Sequence, residues 1–370
     1  VLEVLPDRVG GVLLSLDRER NLTVRRHWDS FLTDGGSRRT DIIRRIRLNR
    51  FKGTVIIAAD PSLAYTTVVP VLLERESDKP LAAIELENLL SQAVGRIFNQ
   101  CRDAASRALG VDDLDAVLVT SRVLDFKVDG HRVMNPVGFR AATVDAVFDL
   151  TLTTRAVLAQ VRSLIGMRHG FFFTEIGRAE LVALRAIQEP PVHLVAVGVP
   201  QSSLLTLRKA AVGHSIQRMV LTWRSDTLRS AIADEWGVSA TAAEELYAAY
   251  LRGDFSPRAA RTMAAVLKPT LTTFFAGLVA HHVRGTVYLT TPLPLPLALP
   301  FRRGSVTITE PPLERILTHA GFTLRQPVRG IAPRELFRRL APFFEFYYDR
   351  GDSEINRWLR RHLSWLGSSI

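Results

Sequence analysis

The chain has 370 residues, enough for two to four domains with ample core, and its 47% hydrophobic and 23% charged residues are the balance of a folded globular protein rather than a disordered one. With 48 basic and 37 acidic side chains the net charge is +11, which favours anionic partners: acidic lipid, nucleic acid or an acidic protein tail. The single Cys101 excludes an internal disulfide framework and fits a reducing compartment, no secretory leader opens the chain, and no run approaches the ~20 apolar residues of a membrane span; the best candidate, Pro292 to Phe301, is short and broken by proline.

Residues 1–25 read as two strands joined by a turn, VLEVLPDRVGGVLLSLD and LTVRRHW, and Val1 already lies within the first, which implies chain upstream of it. Arg38 to Arg50 reads as a basic helix; with no aromatic residues interleaved, it fits a solvated face better than a phosphate-binding stripe. An apolar strand follows at Gly53 to Ala59. From Ile84 to Ala108 apolar residues recur every three or four positions, which predicts a long amphipathic helix. Strands at AVLVTSRVLDFKVDG and ATVDAVFDLTLT and a helix over 155–166 complete a compact α+β module. Phe171 to Ile187 reads as helix, VHLVAVGV at 192–199 as a buried strand, 226–252 as an α-rich region, 259–282 as a further helix, and Thr286 to Thr290 as a strand. The alternation describes a two-lobed α/β chain with no repeat of solenoid length.

The end of the chain, EINRWLRRHLSWLGSSI over 354–370, is strongly amphipathic as a helix. Ile355, Trp358, Leu359, Leu363, Trp365 and Leu366 fall within an arc of roughly 160°, with Arg357, Arg360, Arg361 and Ser364 opposite. Trp and Leu facing acyl chains with Arg among anionic headgroups would hold a protein to a bilayer surface without spanning it. A terminal helix docked on its own domain has the same pattern. Two of the five tryptophans lie here, and the polar break 349–353, with Ser353 as an N-cap, sets the segment apart, which favours membrane.

Motifs for chemistry are few. There is no GxxxxGK loop, no HExxH and no paired CxxC. The adjacent His281 and His282 point to different sides of a helix and make a poor metal pair. Gln201-Ser202-Ser203 lacks the glycines of a nucleophile elbow, and Glu244 and Glu245 form a helix face.

Residues 120–140, TSRVLDFKVDGHRVMNPVGFR, set an Asp129-Gly130 turn and an Asn135-Pro136-Val137-Gly138 turn between the long helix and the paired strands. This stretch resembles the inserted subdomain of FtsA, the actin-like bacterial division protein. LRSAIADEWGVSATAAEELY at 228–247 looks like the FtsA segment before its Ala-Glu motif, and the terminal helix is similar to that family's membrane-targeting helix. The resemblance implies an α/β, actin-like (ribonuclease H-like) two-lobed fold with an inserted α+β, SHS2-type subdomain. It divides the chain into 1–78 (first lobe), 79–167 (insert), 168–190 (return to the first lobe), 191–325 (second lobe, with a helical subdomain at about 215–265), 326–348 (return to the first lobe), 349–353 (linker) and 354–370 (membrane-targeting helix).

The nucleotide motifs depart from that family. The first phosphate loop aligns with Glu3-Val4-Leu5-Pro6-Asp7-Arg8, the second with Ala196-Val197-Gly198-Val199-Pro200-Gln201-Ser202-Ser203, and the adenosine motif with Leu289-Thr290-Thr291-Pro292-Leu293-Pro294; Tyr247 stands where a lysine follows Ala-Glu. Bulky residues and prolines replace the small residues whose N–H groups approach phosphate, and the second loop loses both carboxylates. The degenerate site would comprise Glu3, Asp7, Gly198, Ser202, Ser203, Glu244 and Thr290, with no catalytic residue, no metal ligand and no cofactor expected; ATP and Mg would bind only if the site still works.

By resemblance the chain is a peripheral adaptor on the inner face of the bacterial membrane at the division site, tethering FtsZ filaments without ATP hydrolysis and able to self-associate into filaments. Arg218, Arg224 and Arg229 would meet the acidic FtsZ peptide, and Ile355, Arg357, Trp358, Leu359, Arg360, Arg361, Leu363, Trp365 and Leu366 anionic lipid; no nucleic acid is expected. The alternatives are a PilM-like actin-fold scaffold for type IV pilus assembly, or an actin-like ATPase with an atypical site.

Overall fold

The structure, a computed structural model, describes residues 1–6, 8–31, 53–75, 79–165, 171–198, 202–210, 214–291, 295–325, 330–348 and 354–362. The basic helix expected at 38–50 lies outside these residues, as do Asp7 and positions 363–370.

Pro6 has no N–H for a ladder and divides the first expected strand into β1 (Leu2–Val4) and β2 (Arg8–Leu16), closed by a Leu5 N–H to Arg8 carbonyl bond of 2.9 Å. Three strands therefore open the chain, the third being β3 (Asn21–Phe31), antiparallel to β2. The apolar β4 (Val55–Ala59) runs parallel to β1. β5 (Ala64–Glu74) leaves this sheet and opens another.

The inserted unit is a four-stranded sheet ordered β5–β8–β6–β7, from β6 (Ala116–Val128), β7 (His131–Val133) and β8 (Thr143–Thr154), and α1 (Ala83–Leu109) covers it with Leu86, Leu90, Val94 and Ile97 turned inward. β5 pairs with β8 along its whole length, so the unit takes in residues before position 79; Pro70 is accommodated because β5 is an edge strand. The β6–β7 turn has positive φ at Asp129 (47°) and Gly130 (82°), the geometry a two-residue hairpin requires.

After α2 (Arg155–Ile165) the chain re-enters the first sheet as β9 (Phe171–Glu175), which pairs in parallel with β4. Helix was expected there. FFFTE is a short aromatic run that periodicity cannot assign, and the open edge of β4 makes it a strand; only α3 (Ile176–Leu184) is helical.

The second lobe is a six-stranded sheet ordered β12–β11–β10–β13–β15–β14: β10 (Val192–Ala196), β11 (Ser202–Lys209), β12 (His214–Leu221), β13 (Gly285–Thr290), β14 (Phe301–Arg303) and β15 (Val306–Thr309). One face carries α4 (Asp226–Trp236), α5 (Ala240–Arg252) and α6 (Pro257–Ala280); α5 and α6 are capped by Ser239 and Ser256, whose hydroxyls accept the N–H of Ala242 and Ala259. Contrary to the sequence expectation, α6 is long and apolar enough to cross a membrane by length and composition. Here its Met263, Leu267, Phe274, Phe275 and Leu278 fill the core of this lobe.

Past α7 (Leu313–His319), β16 (Thr323–Leu324) returns to the first sheet beside β3, α8 (Pro333–Tyr348) packs on α3, and α9 (Glu354–His362) lies on β6. One apolar cluster joins Leu22 and Ile56 of the first sheet, α3 and α8, and Leu194 and Leu205 of the second, so the lobes share a core through this helix pair. Gly177 permits the close approach: a Cβ there would sit 2.5 Å from Leu205 Cδ1.

Candidate functional site

In open parallel sheets, ligands bind beyond the carboxyl ends of the strands. Here those ends, after β1 and β4 on one side and β10 and β13 on the other, meet at a cleft lined by Asp60, Pro61, Ile176, Glu180, Gly198, Thr290 and Arg338, with about 10 Å³ left open, room for one water at most.

The cleft is closed by charge. Arg338, from α8, sets its Nε against Glu3 and its Nη2 3.2 Å from Asp60 Oδ2, and all three side chains are at most about a tenth exposed. Asp60 also accepts the N–H and hydroxyl of Ser62 at 3.0 and 2.8 Å. Burial acts to deprotonate Arg338, but Glu3, Asp60 and Glu180 outweigh it and hold the guanidinium protonated. Glu180 is wholly buried, and that burial pushes its carboxyl up to about 8 against the pull of Arg338, so it is mostly neutral at pH 7. Arg339, next along α8, reaches Asp29 at 2.5 Å and Glu335 at 2.6 Å.

Buried pairing continues at the neighbouring contacts between elements. Arg122 of β6 and Arg178 of α3 share Asp149 of β8 and Glu345 of α8 at 2.7–3.3 Å, and Thr174 donates to Glu345 at 2.6 Å. Arg218 of β12 crosses from the second lobe to Glu175 and donates to the carbonyls of Pro61 and Ala64 at 3.0 and 3.1 Å, its guanidinium over the Tyr65 ring. Burial raises the Glu175 carboxyl, opposed by Arg218. These buried guanidinium–carboxylate sets hold the insert, both lobes and α8 in one relative position.

Of the residues assigned to a nucleotide site, Glu3, Gly198 and Thr290 meet at the cleft. Gly198 turns its carbonyl away to accept from Ser225 Oγ at 3.1 Å. Ser202 and Ser203 are buried on β11, while Glu244 lies on α5 and pairs with Arg229 at 3.2 Å, away from the cleft because the helix turns it to solvent. Tyr247 is buried in the second-lobe core, and burial raises its phenol. The residues around Arg338 do not fit ATP and Mg: the guanidinium occupies the carboxylates a metal would need, about 10 Å³ is open between them, and among the described residues no group of three His, Cys, Asp or Glu could hold a metal ion.

The three arginines grouped as a peptide site do not converge. Arg218 is buried as the interlobe clamp, Arg224 pairs with Asp226 at 3.2 Å, and Arg229 is taken by Glu244. On α9, Leu359 is fully buried and Ile355 and Trp358 pack against the insert's core, while Arg357 and Arg361 are exposed. Asn356 forms a two-way bond with Val123 of β6, accepting its N–H at 2.8 Å and donating to its carbonyl at 3.0 Å. The described part of the terminal helix is thus seated on protein; Leu363, Trp365, Leu366 and the Arg360 side chain lie outside the described residues.

Sequence reading missed Arg338, Arg339, Asp60, Glu180 and Glu345. A usable signal was present: LFRRLAPFFEF puts two adjacent arginines and a glutamate inside an apolar run, where a charge has no solvated face to occupy.

No family model matches the chain, and no curated protein does. Among solved structures it is similar to a chain of the PilM–PilN type IV pilus biogenesis complex, with a TM-score of 0.53 and 13% identity over 93% of this chain and 96% of that one. It also matches the ethanolamine utilization protein EutJ from Carboxydothermus hydrogenoformans (TM-score 0.36, 11% identity, 92% and 88% covered) and a glycerol dehydratase reactivase (0.33, 11%, 78% and 57%). The chain has an actin-like fold.

Proposed function

We propose that this protein is a non-hydrolysing actin-fold scaffold that acts by holding a partner protein, as PilM is found with PilN, rather than an ATPase. The observation that carries this reading is Arg338, which fills the interlobe cleft and pairs with the carboxylates a metal–phosphate ligand would use. A cleft closed by internal ion pairs is suited to rigidity, and the shared core through α3 and α8 opposes the lobe movement of a working nucleotide switch. Calorimetry with Mg-ATP is expected to show no binding up to millimolar concentration; a micromolar Kd would sink the proposal. Its partner half is tested by whether the purified chain forms a stoichiometric complex with a pilus-assembly protein of the PilN type.

The FtsA-like reading, with FtsZ as partner and the terminal helix as membrane anchor, has less support. The apolar face of α9 is occupied by β6, so membrane attachment would first require breaking the Asn356–Val123 pair. Equal sedimentation with anionic vesicles of the full chain and a chain ending at Ser353 would remove this reading.

A further inference from the structure

At the opposite end of the second lobe from the cleft, an open pocket of about 400 Å³ is lined by Pro190, Pro191, His193, Arg208, Lys209, His282 and Arg284. From this geometry we infer that the pocket is a binding site for a phosphate-bearing ligand.

The cations converge because of the topology. β10 begins, β11 ends and β13 begins at this edge, so His193, Arg208, Lys209 and Arg284 come together from segments far apart in sequence. None of the lining residues is a carboxylate, and Arg208, Lys209 and Arg284 are exposed. The nearby Glu189 acts on His214, which also feels Arg185 and Lys209. His193 is buried, its Nδ1 3.0 Å from Thr206 Oγ1, and burial, followed by the field of Arg208, lowers its pKa. Three cations around a concave floor, with no carboxylate among the lining residues, form a potential that an anion would satisfy.

A second observation comes from the backbone. The turn after α6 closes with the His282 N–H on the Val279 carbonyl (2.9 Å) and the Val283 N–H on the Leu278 carbonyl (3.4 Å), the pattern of a helix stop whose left-handed residue is usually glycine. Here that residue is His282, at φ 55°. A left-handed backbone is uncommon for residues other than glycine; this one places an imidazole in the pocket wall. Proline and imidazole faces supply an apolar floor, and the two guanidinium groups supply paired donors for phosphate oxygens.

The phosphate has two sources, a soluble phosphorylated molecule or a lipid headgroup. Inorganic pyrophosphate, and vesicles of phosphatidylglycerol in phosphatidylcholine, are each titrated into the full chain, the Arg208→Ala/Arg284→Ala variant, and a control with the same charge removed from α6, Arg258→Ala/Arg261→Ala. The pocket variant is expected to bind about tenfold or more weakly and the control to stay within about twofold. Pyrophosphate binding with shifts of the His193 and His282 ring protons assigns a soluble ligand; vesicle binding alone assigns a headgroup. If neither probe binds the full chain, or if both variants lose affinity equally, the pocket is not a phosphate site.

Discussion

The interlobe cleft and the pocket at the far edge of the second lobe are both rich in arginine, and they use it oppositely. In the cleft Arg338 is engaged by Glu3 and Asp60 and about 10 Å³ remains, and Arg339, Arg178, Arg122 and Arg218 are likewise buried against carboxylates at neighbouring contacts; at the far edge Arg208 and Arg284 line about 400 Å³ with no carboxylate among the lining residues. The difference teaches that a basic chain need not carry its excess charge where its fold would place a ligand. Desolvated charge must be paired, so guanidinium groups buried between the lobes become structure, and those left in water remain available for binding.

Replacing Arg338 with alanine should break the comparison most severely, because Glu3 and Asp60 would be buried without a counterion; a loss of about 3–5 kcal/mol in denaturant unfolding is expected. Arg218→Ala removes the interlobe clamp at a cost of roughly 2–3 kcal/mol, and hydrogen exchange should quicken along β5 before it does in the second-lobe core. Glu180 tests the electrostatics of the cleft by pH. Its carboxyl stands near 8 when folded against 4.5 unfolded, so the folded state binds the proton more tightly. Its contribution to stability is complete below about pH 4.5 and is lost as pH rises to about 8, with a slope of up to ~1.4 kcal/mol per pH unit. Glu180→Gln should abolish that slope; an unchanged pH profile of Tm would show that the carboxyl is ionised throughout.

Asn356→Ala should release α9 from β6 at a cost of about 1–2 kcal/mol of docking, read as faster exchange of the Val123 amide with global stability almost unchanged. The smallest effect is expected at the far edge. Arg208→Ala with Arg284→Ala should leave stability within about 0.5 kcal/mol, since neither pairs with a carboxylate among the described residues; a drop comparable to that of Arg338→Ala would show that those cations too are structural.

Where a pattern has one physical solution, it was legible. Leu86, Leu90, Val94 and Ile97 can share a face only on a helix, and Asp129-Gly130 between alternating runs can hardly be anything but a tight turn. Where two environments impose the same pattern, it was not. FFFTE is equally apolar as helix or strand and became β9 because β4 had a free edge. The terminal helix satisfies a bilayer or a β-sheet with the same residues; Asn356, at the edge of the apolar arc, finds its two partners in the Val123 backbone. Within the site, the prolines and missing carboxylates of the phosphate loops could be read directly; the apolar run around Arg338 marks that residue as unsolvated, but its partners Glu3 and Asp60, far away along the chain, could not be read.

By itself, then, the sequence determined the α/β class and showed how its phosphate-loop residues depart from the family pattern, because these depend on local propensity, periodicity and the absence of a backbone donor at proline. Tertiary structure alone decided which arginines are free. Arg218 is grouped from the sequence with a peptide site, and Arg338, Arg208 and Arg284 carry no motif; only the crossing of strands and helices from distant segments buries Arg218 and Arg338 against carboxylates and gathers Arg208 and Arg284 around an open pocket. Pairing of charge is a property of three-dimensional proximity, and sequence spacing does not encode it beyond a turn of helix.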